Sequence, residues 1–280
     1  MMIESFREFT FNPIITKGEI NKSKLNILIV IFIMASAGCT ENMQIKTQEK
    51  LLRQSYVSTL DNTEREYFIY LPKGYENSDT KNWPVMLFLH GNGERGNGKD
   101  ELDYVLAHGP LYEAWIQKRD LPFIIISPQL HMFDFDKQGL DYIDNRTEDW
   151  IPKRLENGVP PRDELFATPD PMKGVLSAEN MSEVSPPPKG WEKVEGDLLG
   201  MLDYVSENFH ADNQRIYLTG LSYGGFGSWY MASKHPERFA AVAPVVGWGE
   251  PSLMAPIAKA QLPVWAFAGG RDNAVRKQLF

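Results

Sequence analysis

The sequence predicts an α/β fold with a doubly wound, mainly parallel sheet. The apolar runs at 84–91 and 123–127 are short and unbroken, which is typical of parallel strands that are covered on both faces. Over residues 191–209, apolar side chains recur at three- and four-residue steps, as in a helix that packs on such a sheet. Strands that alternate with helices predict a parallel sheet, and such sheets bind ligands at the carboxyl ends of their strands.

The other elements follow the same alternation. Two runs at 56–60 and 67–71 flank Asp61, Asn62 and Thr63, which predicts a hairpin or two adjacent strands. The remaining predictions are helices over 100–108, 111–118, 228–234 and 253–260, a strand that starts at Arg215, and strands over 239–246 and 263–268.

Residues 133–190 interrupt this alternation. The segment is rich in proline and acidic residues and has no clear strand pattern. A connection this long is usually functional or disordered. We interpret it as an insertion that acts as a lid or a substrate-binding excursion, and a disordered loop is the alternative.

Length and charge limit the possible functions. The chain has 280 residues, enough for one large domain, which we predict over residues 54–280. Its formal net charge of −8 argues against a nucleic-acid partner. The sequence lacks a His-Glu-x-x-His motif and a cysteine cluster, and the stretch from Asp134 matches a calcium loop poorly because Asn145 stands where glutamate is needed. No metal is therefore expected.

The N-terminus resembles an export signal. Lys17, Lys22 and Lys24 precede an apolar run at 27–35 that is too short to span a bilayer. Small residues and Cys39, the single cysteine, follow, as in a bacterial lipoprotein signal. We predict a lipoprotein-type signal peptide over 1–38, lipidation at Cys39, a tether over 39–53 and a location in the bacterial cell envelope or periplasm. A plain cleaved signal that leaves a free thiol is the alternative.

A Gly-x-Ser-x-Gly motif lies between the strand from Arg215 and the next helix. It places Ser222 between Gly220 and Gly224. Strand, sharp turn and helix are the context of a nucleophile elbow, in which a strained serine projects its hydroxyl and small neighbours permit close packing. Ser222 is therefore the candidate nucleophile of a serine hydrolase, and a glycine-rich turn without chemistry is the alternative.

Acyl transfer also needs donors for the developing oxyanion. In this class one donor is the N–H of the residue after the nucleophile, here Tyr223, and the other comes from a loop after an upstream strand. Gly91 and Gly93 allow the backbone of such a loop to approach the substrate, so Asn92 is the candidate for the second N–H. His90 is expected to be a packed or hydrogen-bonded structural residue.

The third candidate is an acid. Chain order in this class is nucleophile, acid, histidine, and Asp272 follows the predicted strand at 263–268. It would orient the imidazole of the base, and an aspartate that caps a turn is the alternative. None of the five histidines follows Asp272. His108 and His235 are expected at helix ends, and recruitment of His131 as the base is a minor alternative.

These motifs resemble a known family. The stretches at 90–96, 217–225 and 234–241 are similar to secreted α/β-hydrolases that include feruloyl and acetylxylan esterases, polyhydroxybutyrate depolymerases and a bacterial group labelled "predicted peptidase". The resemblance covers roughly 54–278. It implies an α/β-hydrolase fold and ester hydrolysis through an acyl-enzyme without a cofactor. Since the catalytic histidine of this class follows the acid, the chain is expected to lack the last strand and helix.

The sequence thus predicts a membrane-tethered carboxylic-ester hydrolase. Acetyl or feruloyl esters of plant polysaccharides are the preferred substrates on the resemblance and on aromatic residues that could stack on sugars. The alternatives are a serine peptidase of the prolyl-oligopeptidase kind and a non-catalytic surface binding protein.

Overall fold

A computed structural model describes residues 48–77, 81–133, 141–160, 186–269 and 272, all of which belong to one compact unit that spans 46–280. The predicted signal peptide, Cys39 and much of the predicted insertion lie outside the described residues. Within the described ranges, none of the helices combines the length and the apolar character needed to cross a bilayer.

Six strands form one mixed sheet in the order β1-β2-β4-β3-β5-β6. The pairs β1–β2 and β2–β4 are antiparallel, whereas β4, β3, β5 and β6 run parallel to one another. This confirms the predicted α/β class with a mainly parallel sheet. The strands are β1 (Lys50–Val57), β2 (Glu64–Leu71), β3 (Trp83–Leu89), β4 (Ile124–Pro128), β5 (Ala211–Leu221) and β6 (Ala241–Val245).

Helices cover both faces of the sheet. The α-helices are α1 (Gly109–Leu111, extended by a π-helical turn over Tyr112–Ile116), α2 (Asp141–Asp144), α3 (Glu195–Asn208), α4 (Tyr223–Lys234) and α5 (Ala255–Lys259). Short 3-10 turns lie at Tyr75–Asn77, Asn92–Glu94, Leu102–Leu106, Glu148–Trp150, Trp191–Val194, Pro236–Arg238 and Pro251–Leu253.

The side chains of β3 and β4 alternate between two apolar clusters. Leu87 and Ile126 pack with α3 and α4 on one face, and Ile125 packs with α1 and the Leu102–Leu106 turn on the other. Both faces of the central strands are therefore buried, which explains why their sequences are continuous apolar runs.

The strand order fixes where the site lies. From β3 the chain leads to β4 on one side of the sheet, and from β5 it leads to β6 on the other side. The order therefore reverses between β3 and β5, and a crevice forms outside the carboxyl ends of these two strands. The loop that begins at His90 and the turn that contains Ser222 follow these two ends.

The first hairpin differs from the prediction. β1 begins at Lys50, inside the segment predicted as a tether, and residues 50–53 pair with β2 in a register that aligns Lys50 with Leu71. Residues 58–60 belong to the turn, where Ser58 N–H donates to Thr63 O at 2.9 Å. β1 is an edge strand that mixes polar residues with half-buried apolar ones such as Leu51 and Leu52, so its sequence lacks an unbroken apolar run.

The last predicted strand is also shorter than expected. Over 263–268 only two parallel bridges form, Val264 with Val242 and Phe267 with Val245 of β6. The segment therefore lies beside β6 and leads toward Asp272 at the carboxyl edge of the sheet. The helix predicted over 100–108 is likewise only the 3-10 turn Leu102–Leu106, whereas α4 starts earlier than predicted, directly after Ser222.

Candidate active site

Ser222 occupies a strained turn between β5 and α4. Its backbone has φ 53° and ψ −109°, a left-handed conformation that is costly for a residue with a Cβ. The turn is fixed by a hydrogen bond from Ser222 N–H to Val245 O at 2.8 Å, at the end of β6. The geometry is that of the predicted elbow. Its catalytic role stays a prediction.

Backbone packing explains the two glycines of the motif. A methyl group on Gly224 would lie 1.8 Å from Leu89 O, and one on Gly220 would lie 2.2 Å from Gly224 O. Neither backbone oxygen can move away without displacing β3 or α4. Only glycine therefore lets the elbow lie directly against the end of β3.

His90 shapes the loop after β3, as predicted. Its side chain is 1% exposed, Leu130 N–H donates to its Nε2 at 2.8 Å, and its Nδ1 lies 2.6 Å from Gly91 O. Because Nε2 accepts, Nδ1 carries the proton and donates to Gly91 O. Burial lowers the pKa of His90 to about 4, so the ring is neutral at pH 7.

This buried imidazole predicts an acid-sensitive fold. The unfolded chain protonates His90 near its ordinary pKa of 6.5, whereas the folded protein does so only near a pKa of about 4. The unfolded state therefore binds more protons between these values, and the free energy of unfolding falls as the pH is lowered through this window. We expect His90 to account for about 3 kcal/mol of that loss.

Denaturant unfolding at several pH values between 4 and 7 measures this effect. His90→Gln should flatten the pH dependence of the unfolding free energy relative to the wild type. His210→Gln, at an exposed position, should keep the wild-type slope. Equal slopes for wild type and His90→Gln would show that His90 does not bind a proton on unfolding.

Buried Glu94 pairs with the exposed side chain of His108, a contact that the sequence did not predict. The carboxylate of Glu94 is 5% exposed and hydrogen-bonds to Nδ1 of His108. Burial raises the pKa of Glu94, but the hydrogen bond from His108 and the nearby imidazoles outweigh it, so the pKa lies below its usual value. The same hydrogen bond raises the pKa of His108. His108 was expected at a helix end, and it instead precedes α1 and holds this carboxylate.

The predicted oxyanion loop lies close to the nucleophile. A methyl group on Gly91 would lie 3.1 Å from Oε2 of Glu94 and 3.9 Å from Cβ of Ser222. Asn92 begins the 3-10 turn that follows Gly91, and Tyr223 is the first residue of α4. The two predicted donors therefore sit at the starts of two turns that converge near Ser222.

Asp272 lies on the same edge of the sheet. Val246 N–H donates to Phe267 O at 2.8 Å, which holds the preceding segment against β6, and Asp272 N–H donates to Gly269 O at 3.1 Å. Asp272 is half-buried. The topology therefore places Asp272 at the same edge of the sheet as Ser222, where the parallel strands end. The role of Asp272 as the acid stays a prediction.

His235 and His131 both have hydrogen-bond partners in the structure. His235 follows the end of α4, and its Nε2 lies 2.7 Å from Oε1 of Glu195, in agreement with a structural role. Nδ1 of His131 accepts from Phe133 N–H at 3.1 Å. Over the described ranges, no group of three or more histidine, cysteine or acidic side chains is arranged to hold a metal ion.

A cavity of about 270 Å³ opens beside α4, one helical turn after the elbow. Phe226 N–H donates to Ser222 O at 3.2 Å, and the Phe226 side chain faces this cavity. The lining is mainly apolar and aromatic, so the cavity suits a ring or an apolar chain. The principal lining residues are Pro187, Trp191, Phe226, Trp229, Tyr230 and Met254.

The sheet order, the strained serine after β5 and the adjoining loop after β3 define an α/β-hydrolase fold with a nucleophile elbow. The chain is similar to α/β-hydrolase serine esterases. Residues 190–272 match the prolyl oligopeptidase family. A poly(3-hydroxyalkanoate) depolymerase C of Paucimonas lemoignei is 43% identical over 47 residues, which are 17% of this chain and 11% of that protein.

Two of the solved structures with a similar fold are named as esterases. A thermostable esterase is 21% identical with a TM-score of 0.48, and the match covers 82% of this chain and 49% of that one. A ferulic acid esterase is 17% identical with a TM-score of 0.39, and the match covers 80% of this chain and 92% of that one. The chain thus spans about half the length of the thermostable esterase and a small part of the depolymerase.

Proposed function

We propose that this protein hydrolyses carboxylic esters through a serine acyl-enzyme, with Ser222 as the nucleophile. The observation that carries the proposal is the left-handed backbone of Ser222 beside Gly91, at the point where the strand order reverses. A serine in that strained position exposes its hydroxyl to the crevice in which α/β proteins bind ligands.

The proposed reaction has two steps. Oγ of Ser222 attacks the ester carbonyl carbon, and the N–H groups of Asn92 and Tyr223 donate to the resulting oxyanion. In this class a histidine that follows the acid takes the serine proton and passes it to the departing alcohol, and Asp272 would stabilise the imidazolium of that histidine. Because none of the five histidines in the sequence follows Asp272, the proposal requires a histidine beyond Phe280. Water then attacks the acyl-enzyme, and the acid and the free serine are released.

The proposed substrates are acetyl or feruloyl esters of polysaccharides. The cavity beside α4 supports them, because its lining includes the aromatic side chains of Trp229 and Tyr230, and aromatic side chains pack well on sugar and phenolic rings. The match to a protein named a poly(3-hydroxyalkanoate) depolymerase is consistent with an ester substrate, since the polymer in that name is a polyester.

A second candidate is a serine peptidase. The match of residues 190–272 to the prolyl oligopeptidase family favours it. The same nucleophile and oxyanion donors would serve either reaction, because ester and amide hydrolysis share a tetrahedral intermediate.

The test compares three chromogenic substrates with the full-length protein: a p-nitrophenyl acetate, a feruloyl ester and a prolyl peptide p-nitroanilide. We expect turnover of the two esters to exceed that of the peptide. Peptide cleavage without ester cleavage would favour the peptidase. No turnover of any of the three, together with no labelling by a fluorophosphonate, would favour a binding protein.

We further propose that the protein is exported and anchored to a membrane by acyl chains on Cys39. Each buried methylene contributes about 0.8 kcal/mol, so more than one chain is needed to hold a protein firmly. Palmitate fed to the native host should label the wild type and not Cys39→Ala. Label that persists in Cys39→Ala, or an unlabelled wild type, would contradict the anchor.

A further inference from the structure

Residues 141–160, one described part of the insertion, contact the predicted oxyanion loop through Arg146. The Arg146 side chain is 5% exposed. Its Nη1 donates to Gly93 O at 3.1 Å and also to Arg95 O, and its Nη2 donates to Oε1 of Glu101 at 2.7 Å. Its guanidinium carbon lies 4.1 Å from the ring centroid of Tyr104.

Glu101 and Tyr104 hold the guanidinium of Arg146 in place beside the loop. Glu101 neutralises it, and the ring of Tyr104 holds its plane. A guanidinium held in this way keeps few alternative rotamers, so binding two carbonyls costs it little further conformational entropy. Arg146 is therefore a preorganised donor to the loop, and its position contrasts with that of an exposed surface arginine.

The two carbonyls belong to the turn that contains Asn92. Gly93 lies within the turn Asn92–Glu94, and Arg95 ends it. A short turn has few torsions, so fixing the carbonyls of Gly93 and Arg95 also restricts the peptide plane that presents the N–H of Asn92. Oxyanion donors act through preorganised positions, and small displacements reduce their effect strongly.

The loop also binds residues that directly precede the insertion. Nε and Nη2 of Arg95 donate to His131 O at 3.0 and 2.8 Å, and Nη2 donates to Met132 O at 3.2 Å. The loop therefore contacts His131 and Met132, just before the insertion, and Arg146 within it.

We propose that Arg146 is a positioning residue that sets the oxyanion loop for catalysis, and that this is one role of the insertion at 133–190. The catalytic part of this proposal rests on the proposed function, because it assumes that Asn92 donates to an oxyanion. Arg146 acts through the loop and does not itself touch the substrate.

The kinetic test compares Arg146→Met with Arg154→Met in the full-length protein. Arg154 is a matched control, since it also lies in the insertion, covers the ring of Trp115 at 3.6 Å and binds Glu49 at 2.6 Å, but it contacts no residue of the loop. Arg146→Met should lower kcat for an ester about 10- to 100-fold with little change in KM. Arg154→Met should keep the wild-type kcat, and Arg146→Lys should recover part of the loss.

Hydrogen exchange tests the same role without reference to activity. Amides in residues 91–96 should exchange faster in Arg146→Met than in the wild type, and Arg154→Met should leave them unchanged. If Arg146→Met does not fold, Arg146→Lys gives the comparison. Unchanged loop exchange, or equal kcat losses in the two methionine variants, would overturn the proposal. The two proposals can also be separated. If the wild type hydrolyses no ester, the proposed function is rejected; faster exchange of the loop amides in Arg146→Met would still show that Arg146 positions the loop.

Discussion

Replacing Ser222 with alanine is expected to lower ester turnover about a thousandfold or more and to abolish covalent labelling by a fluorophosphonate. The hydroxyl supplies the bond that forms in the proposed acyl-enzyme, and no neighbouring group can replace it at the turn. The backbone strain should persist, because alanine also carries a Cβ at φ 53°. We therefore expect the unfolding free energy to change by no more than about 0.5 kcal/mol.

Ser228→Ala is the control for this prediction. Ser228 lies on α4, the helix that follows Ser222, where it is buried and donates from Oγ to Gly224 O at 2.8 Å. The Ser228→Ala variant therefore loses one hydrogen bond, and the crevice is unchanged. The variant should lose about 1 kcal/mol of stability and keep its labelling. Labelling that survives in Ser222→Ala would move the nucleophile elsewhere and reject the proposed mechanism.

Gly224→Ala is expected to destabilise the fold by more than about 4 kcal/mol. The added methyl group would lie 1.8 Å from Leu89 O, 2.4 Å from Leu89 C and 2.8 Å from His90 O. All three atoms are backbone atoms at the end of the central strand β3, so no side-chain rotation can relieve the overlap. Either α4 must move away from the sheet or the strand must break its pairing.

Gly200→Ala is the matched control. Gly200 lies within α3, and a methyl group there would meet no atom within 4 Å. Removing a glycine from a helix interior should raise the unfolding free energy by about 0.5–1 kcal/mol. Thermal or denaturant unfolding of both variants checks the pair. A Gly224→Ala protein of wild-type stability would mean that the elbow does not pack against β3 as described.

Much of the sheet could be predicted because its strands carry local signals. β3 and β4 are buried on both faces, so their sequences are unbroken apolar runs, and the motif around Ser222 defines its own turn. The antiparallel edge strand β1 carries a weaker signal, and only its end at residues 56–57 could be predicted. Its earlier residues mix polar and apolar side chains, and their pairing with β2 through backbone hydrogen bonds depends on the neighbouring strand.

The candidate site divides in the same way. The glycines, Ser222 and His90 could be predicted because a tight turn and a buried loop restrict which residue types fit. The pair of Glu94 with His108 could have been suspected only from a charged residue within a glycine-rich loop. The contact of Arg146 with Gly93 joins a residue after β4 to a residue before it in the sequence. No periodic pattern of residue types predicts a contact between segments that far apart in the chain.

By itself, the sequence determined the alternating α/β class, the turn that contains Ser222 and the edge of the sheet on which the candidate residues lie. These features depend on backbone sterics and on the burial of both sheet faces, which act on residues close together in the chain. Only the tertiary structure decided the extent of β1, the pairing of buried Glu94 with His108 and the hydrogen bonds from Arg146 to the oxyanion loop. Those features depend on hydrogen bonds and ion pairs between distant segments, whose partners are chosen by packing and not by local pattern.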